Sequence, residues 1–350
     1  MHAFIRSLIA VFLTASIPVW AIAANERLVF ALDLIRHGDR TPFVTLPNAP
    51  HTWSEGDGQL TALGMQQEYQ LGIKLHQRYI IDNHLLPANY QANTIYVRST
   101  EVDRTMMSAQ SLLIGLYSPG TGPVLADATP ALPAQIQPIP IHVIPAAQDN
   151  ALLIDLRTNE FSELLTNHVF TRADWQRKSA EWSPQYARWS QLTGATIDNM
   201  VDVISVGDTL NTYLAHDIAL PDGLSREEAK TIIAAGNWIL ATLFKPQQVG
   251  DIAGKGALNE IKEHLQRVAD QNAKTKFVLL SAHDVTLLGV MSALHVPLDS
   301  APPYASDLNF SVYQSDSDEL LIKVTLNNKP VLLPGCTINH CSLNQWLKQV

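Results

Sequence analysis

The sequence predicts an α/β fold, a central mixed, mostly parallel sheet flanked by helices with a smaller helical domain inserted into it. Three observations carry that expectation. Short, almost wholly apolar runs at residues 30–35, 94–97 and 276–280 have the continuous hydrophobicity of strands buried on both faces. Stretches with helical spacing follow the first two of these strands and precede the third. Between residues 150 and 246 the character changes to dense Trp, Glu, Arg and Leu at helical spacings, with no strand among them.

With 350 residues, 46% hydrophobic and 16% charged, the chain is long enough to bury a large core. Its formal charge of −9 argues against a nucleic-acid partner, which would call for a basic face. Residues 1–23 read as a secretory leader, with Arg6 as the positive start, a mostly apolar run over 8–19 and Ala21-Ile22-Ala23 as a small-x-small cleavage site. Cleavage is expected near Ala23/Ala24, which makes the protein exported, to a periplasm or the medium. No other span approaches the roughly 20 apolar residues of a membrane helix. The expected division is a catalytic α/β domain from 24–149 and 247–350, interrupted by a helical cap at 150–246.

The first strand runs into Arg36, His37, Gly38, Asp39, Arg40, Thr41 and Pro42. Glycine permits a sharp turn and proline stops the strand from continuing. Two guanidiniums around one imidazole make a poor structural core and a good cradle for a dianion. Just past a strand end is where open α/β sheets bind ligands.

Residues 45–58 are polar and turn-rich, an exposed loop by expectation, and 59–79 then have helical period through Leu71, Leu75 and Tyr79. A strand at 94–97 delivers Arg98 at the point where a helix over 97–110 begins, so Arg98 is expected to face an anion at a helix start. Arg104 reads as structural, paired with Asp103 or another acid of the helix. A strand at 139–144 precedes the insert. Within the insert, His216-Asp217 follows a helical stretch rather than a strand, and reads as structural or solvated. Helices at 229–243 and 257–271 lead to the strand 276–280, which delivers His283 and Asp284. A loop at 302–307 and a hairpin of strands at 308–313 and 320–326 follow. The two cysteines, Cys336 and Cys341, are expected to pair oxidatively after export. So small a loop contributes only about 2 kcal/mol and staples the tail.

The run RHGDRTP at residues 36–42 resembles the signature of the histidine acid phosphatases, a branch of the phosphoglycerate-mutase-like superfamily that also contains bacterial phytases. WSEGDGQLTALG at 53–64, VRSTEVDRTMMSAQ at 97–110, VLLSAHDVT at 278–286 and LPGCTINHC at 333–341 resemble the family as well. Glu101 stands where family members mostly carry Asp. Asp39 and Thr41 are closer to the prostatic and lysosomal type than to the phytases. The resemblance implies that His37 attacks phosphorus and becomes a phosphohistidine, while Arg36, Arg40, Arg98 and His283 bind the phosphoryl group. It implies that Asp284 protonates the leaving oxygen and that no metal or other cofactor takes part.

Phosphate monoesters are so inert in water that an enzyme must supply on the order of 20 kcal/mol, and a covalent intermediate divides that barrier. The arginines would keep His37 uncharged and stabilise the transition state by about 3 kcal/mol each. A backbone carbonyl near Gly38 would select the tautomer, and a protonated Asp284 implies best activity at acid pH. The expected partners are small phosphate monoesters, tyrosine phosphate among them, with a homodimer left open. Two alternatives stand: a phytase or sugar-phosphatase of the same family, and an exported protein that binds phosphate without turnover.

Overall fold

The apolar run that opens the described chain becomes β1 (Arg27–Arg36), and its hydrophobicity on both faces puts it in the interior of the sheet. The computed structural model describes residues 26–337 and 340–349, so the expected leader at 1–23 lies outside the described residues. The other strands are β2 (Ile95–Thr100), β3 (His142–Ile144), β4 (Phe277–Ala282), β5 (Asp307–Gln314), β6 (Leu320–Leu326) and β7 (Lys329–Val331). Among the described residues they form one seven-stranded sheet in the order β3-β2-β4-β1-β5-β6-β7. The pairs β3–β2, β2–β4 and β4–β1 are parallel, and β5 to β7 add an antiparallel wing beside β1.

Side chains alternate across β1 as the pleat requires. Phe30, Leu32 and Leu34 join one core with Val278, Leu280 and Phe310, whereas Ala31 and Ile35 join a second with Val97, Phe277 and Leu279. Helices α1 (Ala62–His76) and α2 (Asp103–Leu116) cover the second face. The insert contributes α3 (Asn159–Leu164), α4 (Ala173–Trp182), α5 (Tyr186–Thr193), α6 (Asp202–Ala215) and α7 (Arg226–Leu243), and α8 (Gln247–Ala253) follows just beyond it. Then α9 (Lys255–Ala269), α10 (Asp284–Ala293) and α11 (Leu343–Gln349) close the first face.

A third core belongs mainly to the insert, where Phe161, Trp175, Trp189, Leu210, Tyr213, Ile239 and Phe244 pack together. Leu288 of α10 is part of it, which seats the insert on the sheet's own helices. Leu46 also joins it, fully buried, with Ala49 and Trp53 packed against the same core, so the polar segment 45–58 is pinned to the insert rather than exposed throughout. The disulfide forms between Cys336 and Cys341, with their Cα atoms 4.8 Å apart.

Two boundaries differ from the sequence expectation in ways that matter. The helix expected over 59–79 regularises only at Ala62 and ends in a widened turn over Gln77–Asp82. More important, β2 does not stop at Val97. Pairing with β4 and β3 carries it to Thr100, so α2 begins at Asp103.

Candidate active site

Because β1 and β4 are parallel neighbours in the register Arg36↔Ala282, the residues that follow each strand emerge side by side. The His37 amide donates to the Ala282 carbonyl at 3.1 Å, and the rings of His37 and His283 stand 5.5 Å apart, edge to face. Gly38 serves close packing rather than a special turn. It is absent from the positive-φ glycines, and a Cβ there would sit 2.3 Å from the Gly64 carbonyl oxygen at the start of α1.

His37 is 2% exposed. Its Nδ1 lies 2.8 Å from the Gly38 carbonyl, which can only accept, so Nδ1 carries the proton and Nε2 keeps its lone pair. Burial first, then the positive charges of Arg104, Arg36 and Arg40, holds its pKa well below the ordinary imidazole value. The imidazole is therefore neutral. His283 is pushed down to about 3 by burial and then by Arg104. Its Nδ1 faces Arg104 Nη2 at 3.3 Å and must accept, which leaves Nε2–H to donate to Thr100 Oγ1 at 3.1 Å. Both ring nitrogens of His283 thus orient neighbours.

The arginines divide by partner. Arg36 reaches Asp284 Oδ2 at 2.8 Å and the Pro302 carbonyl at 2.6 Å, and its guanidinium lies 4.1 Å above the Tyr304 ring. Arg40 is held by both oxygens of Asp208, at 2.9 and 3.1 Å, and covers the Phe43 ring at 4.2 Å. Arg104, on the first turn of α2, pairs with no carboxylate among the described residues. Burial, followed by repulsion from Arg40, lowers its pKa to about 10. Asp284, the first residue of α10, also accepts from the Val285 amide at 2.8 Å. Burial raises its pKa, but Arg36, Arg40 and His283 outweigh that and leave it below the usual carboxylate value. A cavity of about 190 Å³ is lined by His37, Arg40, Arg104, His283 and Asp284 together with Phe43, Leu153, Ile154 and Val285.

Arg98 is not there. Its guanidinium is buried between Asp149, at 2.5 Å, and Glu260 of α9. Arg98, expected as the third arginine around an anion, therefore does not reach the cavity around His37, and Arg104 is the arginine that lines it instead. The reason is the length of β2: with the strand extended to Thr100, Arg98 is an interior residue whose side chain points to one flank of the sheet. Arg104, read as structural, is the side chain that the first helical turn aims at the strand end. The β-branched Thr100 was the one local signal that the strand continues.

Sequence reasoning also missed contacts from the insert. Asp208 and His216 both reach the signature loop, His216 Nε2 pairing with Asp39 Oδ2 at 2.6 Å. Asp39 further accepts from Thr61 Oγ1 at 2.6 Å. Tyr304, whose ring centroid is 5.8 Å from that of His37, is kept neutral by burial, which pushes its hydroxyl up to about 12.

The sequence model described as the histidine phosphatase superfamily (branch 2) matches residues 46–327. The chain belongs to that family. Among similar members of the histidine phosphatases, lysosomal acid phosphatase of Bos taurus is 32% identical over 98% of this chain and 82% of its own length. Prostatic acid phosphatase of Bos taurus is 30% identical over 93% of this chain and 85% of its own length. The solved phytase of Klebsiella sp ASR1 superposes with a TM-score of 0.70 at 18% identity, covering 93% of this chain and 95% of that one. At that identity the likeness concerns the fold, the helix-flanked mixed sheet of this branch.

Proposed function

We propose that this histidine phosphatase is an acid phosphatase that hydrolyses phosphate monoesters through a phosphohistidine on His37. The observation that carries the reading is a buried, neutral imidazole with a free Nε2, set among Arg36, Arg40 and Arg104, with the Asp284 carboxyl in the same cavity. In the first step Nε2 attacks phosphorus, the bond to the leaving oxygen breaks, and that oxygen takes a proton from Asp284. In the second, water attacks the phosphohistidine and gives its proton back to Asp284. The P–N bond breaks, freeing neutral His37 and inorganic phosphate. The guanidiniums would face the three equatorial oxygens, where negative charge is spread in the transition state. His283 lines the same cavity and keeps Arg104 aimed into it.

No metal enters the proposal, since the arginines supply the charge that a divalent ion supplies in other phosphatases. The leaving group would rest against Phe43, Leu153, Ile154 and Val285, an apolar wall suited to aryl or alkyl esters such as tyrosine phosphate. That wall favours monoesters with an apolar leaving group over the phytase alternative, because an inositol polyphosphate would need further cations for its other phosphates. The insert at 150–246 would act as the cap that shapes this wall, in a protein exported after loss of residues 1–23. Among the described residues no helix is long and apolar enough to cross a membrane. A homodimer is proposed on the exposed outer edge of the sheet, where Val143 and Ile144 of β3 are open to solvent, and sedimentation would test it.

The deciding experiment mixes the protein with a radiolabelled monoester and quenches in alkali, which preserves phosphohistidine. Label on the protein, lost in His37→Ala along with turnover, is the expected result. Saturable phosphate binding without alcohol release would instead favour the binding-protein reading, and activity abolished by EDTA and restored by a divalent ion would refute the metal-free mechanism. Tyrosine phosphate, simple esters and inositol hexakisphosphate assayed side by side would separate the substrate classes.

A further inference from the structure

Helix α6 carries three polar side chains at a spacing of four, Asp208, Thr212 and His216 at its C-terminal boundary, and all three meet the signature loop. Asp208 holds both terminal nitrogens of Arg40, Thr212 Oγ1 lies 3.4 Å from the Arg40 carbonyl, and His216 pairs with Asp39. At 3.6 residues per turn that spacing makes one stripe along the helix. None of the three lines the cavity around His37. The stripe therefore acts on the site through Arg40 and its neighbour.

Charge gives Asp208 a second effect. With both histidines neutral, three guanidiniums, on Arg36, Arg40 and Arg104, surround the site, and among the described residues the carboxylates paired with them are Asp284 and Asp208, while Asp39 is taken by His216. Asp284 offsets Arg36 and Asp208 offsets Arg40, so only Arg104 faces the cavity uncompensated. Turnover ends with inorganic phosphate in that cavity. A site left with one more unbalanced positive charge would bind substrate and product alike more tightly, which does not speed the chemistry and slows release.

We propose that Asp208 is a positioning residue that fixes Arg40 and, by offsetting its charge, lets the site release inorganic phosphate. The inference rests on the phosphatase reading for its meaning, yet its test does not need turnover. Calorimetric titration of the full chain with inorganic phosphate is expected to show Asp208→Asn binding phosphate about tenfold more tightly than the wild type. Steady-state kinetics of the same variant should show kcat and KM falling together, with product inhibition by phosphate increased to match. Asp208→Glu, which keeps the charge on a longer arm, should stay within about twofold of the wild-type phosphate affinity. Unchanged or weakened phosphate binding by Asp208→Asn would overturn the proposal, as would equal tightening by the Glu variant. Should Asp208→Asn fail to fold, Asp208→Ser answers the same question. Loss of turnover in the wild type, by contrast, would strike the phosphatase reading and leave the affinity comparison standing.

Discussion

Arg36 Nη2 and Asp284 Oδ2 lie 2.8 Å apart, and this pairing favours the ionised form of the expected acid. In the proposed mechanism the proton that Asp284 donates would therefore arrive with the substrate. A phosphate monoester loses its second proton at a pKa of about 6, and the monoanion that binds below that pH brings one. Once Arg36 turns to the phosphate, Asp284 loses the partner that held it ionised and can take that proton.

The pH profile follows. His37 remains neutral far below the usual imidazole value, so protonation of the nucleophile should not cut the rate between about pH 6.5 and 5. We expect kcat/KM to stay level across acid pH and to fall as pH rises past the substrate's own pKa. Esters of different phosphate acidity should move that limb with them. A loss of rate on acidification from pH 6.5 to 5 would mean that His37 titrates as an ordinary imidazole, and the site's electrostatics would need another account.

Asp284→Asn should separate substrates by leaving group. An alkoxide needs its proton in the transition state, whereas p-nitrophenolate leaves without one. The expected loss is at least about a hundredfold on alkyl phosphates and much smaller on p-nitrophenyl phosphate. Equal losses on both would remove Asp284 from the role of general acid.

Arg104→Ala and Arg98→Ala should fail in opposite ways. The first removes an uncompensated charge from the cavity and is expected to lower kcat/KM by about a hundredfold or more, with little change in Tm. The second strands the buried Asp149 and the partly buried Glu260, a loss of about 3–5 kcal/mol of stability. Protein that still folds should keep most of its turnover. Assays beside thermal melts decide, and an Arg98 variant that folds as well as the wild type yet is inactive would reverse the assignment.

Stability should increase toward acid pH. Behind the site, Glu68 is fully buried with no partner for either carboxylate oxygen, and Asp307 lacks one for Oδ1. Asp33 is held nearby by Tyr79 Oη at 2.9 Å and Asn309 Nδ2 at 2.5 Å. Burial, before any other cause, raises all three above the ordinary carboxylate range, and Asp33 adds to the rise at Asp307. Such groups hold protons on folding that the unfolded chain would release. The stability they give is complete below an unfolded pKa of about 4 and drains as pH climbs through the folded values. Melting temperature should therefore rise as pH is lowered from about 8 to 5, and Glu68→Gln should flatten the trend and stabilise the neutral form. A Tm that falls over that range would sink the argument.

Some of this was legible along the chain and some was not. His37 and Asp284 could be singled out because each lies within four residues of an apolar run that is a strand on any reading, and short-range patterns describe strand ends well. Arg98 and Arg104 could not be told apart that way. Which one faces the cavity depends on how far β2 continues, and its pairing with β3 and β4 decides that. His216 read as structural or solvated and Asp208 drew no reading at all, since a polar stripe looks the same whether water or a loop lies against it.

The sequence by itself determined the sheet strands, the two segments that end in histidine and the acid beside the second. Those are properties of neighbours in the chain. Only the tertiary structure decided which arginines surround His37, which carboxylates neutralise them and what lies behind the site, because each of those depends on packing between segments more than 150 residues apart, for example Arg40 with Asp208 or Arg36 with Asp284.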